Sequence, residues 1–499
     1  MELPEGAVSY GRRVAQLAEE HPDHVALVFA AADGHDETFT SRELETRAVA
    51  AARVLAAAGV DERSRVAIAL PNSPEHVIAA LGAWKLGACV VPVRADLPQW
   101  ERERVLDVAA PRVVVADELG ERPVVHREEI ADAPPDAAGT DLPDRVPQPA
   151  MAVTSGGATG SPKLIVTPAP GAAVPGAAFA TSASAFPGGA GHVNLVPGPL
   201  YHTNGFAICH SGLFEDQRVV LMESFDAARV VDLVERWRVT LMTMAPTMLL
   251  RVARLPGIDD RDLSSIQGIM QGAASCPQWL LRRWITLVGA ERVFVAYGST
   301  ERVGLTMVRG DEWLVHPGTV GRGVATEIRI LDRDGRDLER GEVGEIFLRS
   351  EASRVAPTYE YVGADPAPRT ADGFTSIGDL GWLDADGYLF IADRRVDMIV
   401  TGGANVFPAE VEAAVSELDG IGDVAVIGVP DDEWGRRVVA LVEAVAGRAA
   451  PSVDDLDAHC RARLAPYKVP REFVIVERLP RTPAGKLNRA ALTEEFARR

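Results

Sequence analysis

Five short segments carry residues whose types and spacing could do chemistry. The first, Thr154-Ser-Gly-Gly-Ala-Thr-Gly-Ser-Pro-Lys163, follows the apolar run Met151 to Val153. Gly156, Gly157 and Gly160 let backbone amides approach an anion closely, Thr154, Ser155 and Thr159 add hydroxyls, and Lys163 brings charge. The segment reads as a phosphate cradle or, on the plainer reading, as a Gly/Ser turn, since the GxxxxGK[ST] order of the Walker A loop is absent. The second, Tyr297-Gly-Ser-Thr-Glu301, follows the strand-like ERVFVA. Thr300 and Glu301 set a hydroxyl beside a carboxylate, which suits a magnesium ion bridging phosphates, and Tyr297 offers a ring to a base. A capped helix start is the rival. The third pairs Asp379, in Ser376-Ile-Gly-Asp379, with Arg394. A carboxylate can accept from two adjacent ribose hydroxyls and an arginine can add a contact; a surface Asp in a turn is the plainer alternative. The fourth, Gly402-Gly-Ala-Asn-Val-Phe-Pro-Ala-Glu-Val-Glu412, makes either a tight turn before a proline-started helix or a stretch of bare backbone lining a narrow tunnel. The fifth, Leu479-Pro-Arg-Thr-Pro-Ala-Gly-Lys486, places a lone lysine in a Pro/Gly loop.

That lysine stands out against the composition. The chain has four lysines, Lys85, Lys163, Lys468 and Lys486, against 47 arginines. A compact ammonium on a thin stem enters sites that the planar arginine fork does not, a physical reason for a lysine to persist in an arginine-biased chain.

The elements that must position these segments alternate in type. From Ser41 to Val93 a helical pattern, the apolar run RVAIAL, a second helix and a second apolar run, ACVVPV, indicate a parallel sheet covered by helices. The tract from Ala131 to Pro149 reads as an exposed connection, and the Ala/Gly/Pro-rich stretch from Thr167 to Gly191 as a loop. Alternation resumes from Asn194 to about Ala325 and gives way between about 326 and 392 to short strands and turns. The last hundred residues have their own helix and strand rhythm, enough for a small α+β domain. The fold class expected is α/β: a large N-terminal domain of helix-covered sheets with a β-rich subdomain, then a small mobile α+β C-terminal domain. The boundaries are 1–392, a hinge at 393–397, and 398–499.

Composition excludes several classes. With 499 residues, two to four structural units are expected. A net charge of −20 repels nucleic acid and anionic lipid, and no run approaches the roughly 20 apolar residues of a membrane helix. The N-terminal residues lack the apolar core of a signal peptide, making the cytoplasm the expected location. Cys89, Cys209, Cys276 and Cys460 are widely spaced, without metal-ligand or CxxC pattern, and read as buried thiols.

In order and spacing together, the five segments resemble the acyl-CoA synthetase, luciferase and peptide-synthetase adenylation superfamily. The likeness runs over nearly the whole chain and includes Leu200-Tyr-His-Thr-Asn-Gly-Phe206, Met244-Ala-Pro-Thr-Met248 and Gln271-Gly-Ala-Ala274. It implies an ATP- and magnesium-dependent enzyme that activates a small-molecule carboxylic acid as its acyl-AMP and passes the acyl group to coenzyme A. By the same resemblance, Thr154, Ser155, Gly156, Thr159, Gly160 and Lys163 cradle the β and γ phosphates. Tyr297 lies against adenine, with Gly298, Gly272, Ala273 and Ala274 bordering the nucleotide; Thr300 contacts the α-phosphate and Glu301 holds magnesium. Asp379 and Arg394 bind ribose, Lys486 bridges the acyl carboxylate and α-phosphate, and Gly403 borders the pantetheine tunnel. Trp434 and Tyr467 are candidates to stack on coenzyme A, with packing as their plainer role. His202, counted among the catalytic residues, lines the acid pocket with Asn204, Gly205, Ala273, Ala274 and Gly304.

Amino-acid-activating relatives place an aspartate near Tyr201, and LYHTNGF has none, which disfavours an α-amino acid. GGATGSPKLI, LYHTNGF and GLTMVRGDEWLVHPGTVGRG look most like the bile-acid and steroid-acid CoA ligase branch. The chain departs from the family pattern at Gly157 and Ala158, where further hydroxyls are usual, at Leu164, where glycine is usual, at the hinge residue Val396, and at Ala404. Two other readings stand beside the acid-CoA ligase. One is an adenylate-forming enzyme whose acceptor is a carrier-protein thiol, an amine or nitrite-derived nitrogen. The other is a non-catalytic nucleotide-binding protein, against which the joint presence of Lys486, Glu301 and Asp379 argues. A homodimer and, in the second reading, a carrier protein are the macromolecular partners expected.

Overall fold

Runs of valine, isoleucine and alanine with no polar alternation make strands buried on both faces, and two parallel-rich sheets result. The computed structural model describes residues 3, 5–118, 122–134, 142–156, 162–175, 186–394, 397–401, 404–431, 433–482 and 487–497. In the seven-stranded sheet the order is Glu360–Val362, Pro162–Thr167, Met151–Gly156, Cys89–Pro92, Arg65–Ala69, Val113–Ala116 and Val124–His126. The last five run parallel, and the first two join antiparallel at one edge. The nine-stranded sheet has a parallel centre, running from Val25–Ala30 to Val293–Gly298, with antiparallel strands at both ends.

The helix Pro74–Lys85 packs in the main apolar cluster with residues of both sheets, such as Ile68 and Val90 of one and Leu27 and Leu221 of the other. Every one of its residues but Glu75 is buried. Ser73 caps it by accepting from the His76 amide, and Pro74 occupies the first turn, where no amide is needed. Gly82 lets it press against the helix Ser41–Ala57: a Cβ there would lie 2.9 Å from the backbone nitrogen of Ala52. Trp84 donates its indole N–H to the Ala150 carbonyl at 2.8 Å and stands against the rings of Phe206 and His210.

A four-stranded antiparallel sheet follows, Thr326–Leu331, Gly344–Ser350, Asp379–Leu383 and Leu389–Arg394. The C-terminal part has its own core around the strands Ile421–Asp431, Gly435–Ala444 and Glu472–Val476, covered by the helices Pro408–Ser416, Val453–Arg461 and Arg489–Ala497. It touches the large part through polar contacts. Arg254 donates to the carbonyls of Ile421 and Gly422, and the Trp279 indole donates to the Ser416 hydroxyl at 3.2 Å. The molecule is therefore a mixed α/β protein with a large N-terminal part of helix-covered sheets and a smaller C-terminal one, as expected. Among the described residues no helix is long and apolar enough to cross a membrane.

Two details differ from the sequence reading. The Gly/Pro-rich stretch after Thr167 is more than a loop. Ala172–Ala173 pair with Val8–Ser9, and Phe186 is buried edge-on against Phe294, with ring centroids 5.2 Å apart. Two aromatics seven residues apart, Phe179 and Phe186, in a tract of small residues leave no strand periodicity to read. Cys89, Cys209 and Cys460 are buried as expected, whereas Cys276 is only half-buried.

His76 and His210 are fully buried, and each ring donates Nδ1–H to a carbonyl, Leu70 at 3.2 Å and Phe206 at 2.8 Å. Burial pushes the first down to about 4 and the second to about 3. The unfolded chain takes up these protons near pH 6.5 and the folded chain resists them, so stability is lost as pH falls below 6.5. Between pH 6.5 and about 5, the urea unfolding free energy should drop by about 2 kcal/mol per histidine. His210→Leu should remove about half of that slope, on the same per-histidine scale.

Candidate active site

Three of the five segments singled out by sequence come together, those carrying Lys163, Tyr297 to Glu301, and Asp379, each from a different one of the three large sheets. Lys163 is the second residue of the strand Pro162–Thr167, paired antiparallel with Met151–Gly156 so that Thr154 faces Leu164 and Ser155 faces Lys163. Ser155 and Gly156 end the strand Met151–Gly156, and Gly156 pairs with Pro162 at the start of the other. Thr159 and Gly160 lie outside the described residues.

The strand Val293–Gly298 ends at the second segment. The Tyr297 hydroxyl donates to Asp379 Oδ2 at 2.7 Å, tying the nine-stranded sheet to the four-stranded one. Asp379 is 5% exposed, at the start of its strand, and the backbone of Arg394 stands directly opposite in the neighbouring strand. The two residues paired by sequence are thus partners in register. Thr300 and Thr203 hydroxyls lie 3.0 Å apart, joining the Tyr297 segment to the helix Thr203–Phe214, which His202 precedes. The His202 ring lies 4.6 Å from that of Tyr201, whose hydroxyl burial pushes up to about 12.

Glu301 is 8% exposed. Its Oε1 accepts from the Tyr361 hydroxyl at 2.7 Å and lies 3.7 Å from Lys163 Nζ. That ammonium sits 3.6 Å from the centre of the Tyr361 ring. Burial and the neighbouring Glu301 charge both disfavour ionisation of Tyr361, which keeps its hydroxyl a donor. A buried carboxylate, with the hydroxyl-bearing Thr300 next to it in sequence, offers oxygen donors of the kind that fit a hard cation such as magnesium.

Gly272, Ala273 and Ala274 form the turn after the strand Gly268–Gln271, closed by Gln271 Nε2 donating to the Ala274 carbonyl at 2.8 Å. Ala273 has φ 71°, a left-handed conformation that costs a side-chain-bearing residue energy and recurs at ligand sites. Gly298 ends its strand opposite Leu305. At Gly205 a Cβ would stand 2.5 Å from the Pro199 carbonyl, and at Gly304 one would stand 2.5 Å from Thr326 Cγ2, so close packing requires glycine at both.

In the C-terminal part, Gly403 and Lys486 lie outside the described residues. The base of the Lys486 loop is anchored. Arg481 pairs with Asp423 and bridges in register to Leu487, and Arg489 grips Glu412 at 2.7 and 2.8 Å and reaches Asp397 at 3.4 Å. Asp393 accepts from the Ala409 amide at 3.0 Å. Trp434 packs under the Arg471 guanidinium at 3.9 Å, and Tyr467 is 48% exposed. Sequence reasoning missed Tyr361 and Thr203. Period-two spacing of Tyr359 and Tyr361 was the available signal for the first.

The comparisons with known proteins agree with this geometry. The AMP-binding enzyme family profile matches residues 14–359, and that of the AMP-binding enzyme C-terminal domain matches 410–486. A long-chain-fatty-acid–CoA ligase of Mycobacterium tuberculosis is 30% identical over 93% of this chain and 94% of its own. A methyl-dioxo-octahydroindenyl propanoyl:CoA ligase of Rhodococcus jostii is 32% identical over 93% and 95%. The solved o-succinylbenzoate CoA synthetase of Bacillus subtilis, in complex with its acyl-adenylate intermediate, superposes with a TM-score of 0.80 at 26% identity, covering 97% of this chain and 98% of that one. The same synthetase in complex with ATP and a magnesium ion superposes at 0.79. Both the large part that gathers Lys163, Tyr297, Glu301 and Asp379 and the small part that carries Lys486 are matched in order on one chain, which belongs to the AMP-binding enzyme family.

Proposed function

We infer that this chain is an AMP-forming acid–thiol ligase, activating a carboxylic acid with ATP and passing it to coenzyme A. The observation that carries the reading is the meeting of Lys163, Tyr297, Glu301 and Asp379 at the sheet edges, on a chain whose relatives ligate acids to CoA. In the first half-reaction an oxygen of the acid attacks the α-phosphorus of ATP and pyrophosphate leaves. In the second, the CoA thiol loses its proton and attacks the acyl carbonyl carbon, and AMP leaves with the bonding pair.

The roles we propose follow from charge. A carboxylate approaching a triphosphate brings negative groups together, so cations placed where charge develops lower the barrier. Lys163 sits at the mouth of the hairpin to meet the outer phosphates, with Thr154 and Ser155 beside it. Glu301, with the Thr300 hydroxyl, would hold magnesium, which when bound offsets phosphate charge. Asp379, already aimed by Tyr297, accepts from the ribose, and Arg394 flanks it. Lys486 would bridge acid and α-phosphate, carried on the C-terminal part across a hinge at 393–397. His202, Ala273, Ala274 and Gly304 would border the acid. The non-CoA acceptor is not favoured, since both curated relatives described above are CoA ligases. Their acids, one a fatty chain and one a fused-ring propanoate, set the range to search.

The test is pyrophosphate release from MgATP across a panel of fatty, aryl and fused-ring acids, with and without CoA. Release that one acid triggers and CoA accelerates is the expected result; release indifferent to CoA would replace the acceptor, and no release with any acid would count against the reading. Lys486→Ala should lower pyrophosphate release more than about a hundredfold, the scale of losing one transition-state donor, with the thermal melt unchanged. Asp379→Ala should raise the KM for ATP about tenfold or more, as expected for a lost charged hydrogen bond, and leave the KM for the acid alone.

A further inference from the structure

We propose that Tyr361 is a positioning residue for adenylation, holding the phosphate lysine Lys163 and the metal-holding carboxylate Glu301 as a loose ion pair rather than a close one. This rests on the roles given to Lys163 and Glu301 above. The strand Glu360–Val362 adds to the sheet edge antiparallel to Pro162–Thr167, with Tyr361 opposite Ile165. Lys163 is two residues from Ile165 and so projects from the same face. The phenol therefore touches both members of an ion pair: its ring takes the ammonium at 3.6 Å, its hydroxyl donates to Glu301 Oε1 at 2.7 Å, and ammonium and carboxylate stand 3.7 Å from each other, beyond hydrogen-bonding distance.

Two neighbours brace this arrangement. The Tyr359 ring lies 4.7 Å away at 51°, with its hydroxyl fixed by the Ala367 amide at 3.1 Å, and the Thr358 hydroxyl donates to the Glu301 carbonyl at 2.8 Å. A phenol placed only to fill the core would need no carboxylate for its hydroxyl. A lysine beside a buried carboxylate, with no third group to hold either, closes to hydrogen-bonding distance, and that tight pair competes both with a metal for the carboxylate and with a phosphate for the ammonium. An aromatic face holds an ammonium more weakly than a carboxylate does. The ammonium is then ready to move to phosphate, and the hydroxyl donated to Oε1 sets the carboxylate's orientation.

The two halves of the phenol are separable. Y361F keeps the ring and removes the hydroxyl; Y361L removes both. Binding of ATP to the full chain, followed by calorimetry at stepped magnesium concentrations, reads the effect without turnover. For Y361F the magnesium concentration at half-maximal enhancement of ATP binding should rise about tenfold, the scale of a lost hydrogen bond to a charged group, with magnesium-free ATP affinity unchanged. For Y361L the magnesium-free affinity should fall as well. Loss of fold would lower the binding stoichiometry, whereas the proposal requires a shifted midpoint at unchanged stoichiometry; Y361M carries the comparison should Y361L not fold. A Y361F midpoint equal to that of the wild type overturns the proposal while leaving the ligase reading intact. A wild-type chain whose ATP binding ignores magnesium overturns both.

Discussion

The helix Pro74–Lys85 is buried at every position but Glu75, and the rest of the molecule is arranged around that fact. A helix buried nearly all round must be covered nearly all round, and here the two large sheets and the helix Ser41–Ala57 supply the cover. Its position fixes how the sheets lie against one another, and hence where the hairpin end of Met151–Gly156 and the carboxyl end of Val293–Gly298 come to rest. Lys163 and Glu301 are 138 residues apart in sequence, yet their charged atoms lie 3.7 Å apart. Neither residue reaches far; the sheets bring them together.

Electrostatics then decides what the meeting place can do. A chain of net charge −20 repels a triphosphate at long range. Attraction must therefore be local, from an ammonium such as that of Lys163, held in a loose pair with Glu301. The lysine count makes the same point. Lys85 is buried against Glu45 and the Gly11 carbonyl, and Lys468 is paired with Glu410, so two of the four lysines have structural partners. Lys163 is held between a ring and a carboxylate, close enough to both to be released from either.

Much of this was legible in the sequence, and the reasons are specific. Apolar runs such as RVAIAL and ACVVPV announce strands buried on both faces because nothing polar can be tolerated there. Asp379 and Arg394 were paired by motif, and antiparallel register places them opposite each other. Other features escaped because their partners are distant in sequence. The bond from Tyr297 to Asp379 spans 82 residues and that from Tyr361 to Glu301 spans 60, and no local pattern records either. Phe186 escaped for a different reason, since it stands in a tract of small residues with no strand or helix alternation around it.

The contact between the two parts of the chain has a consequence for divergence. Arg254 grips the main-chain carbonyls of Ile421 and Gly422, and the Trp279 indole below it reaches the Ser416 hydroxyl. Carbonyl oxygens are supplied by every residue, so substitution at 421 or 422 cannot delete them. The Arg254 half of the contact is thus indifferent to which side chain stands at 421, whereas the Trp279 half depends on the hydroxyl of Ser416, so the genetic burden of keeping the two parts in touch falls mostly on the large part, at Arg254 above all.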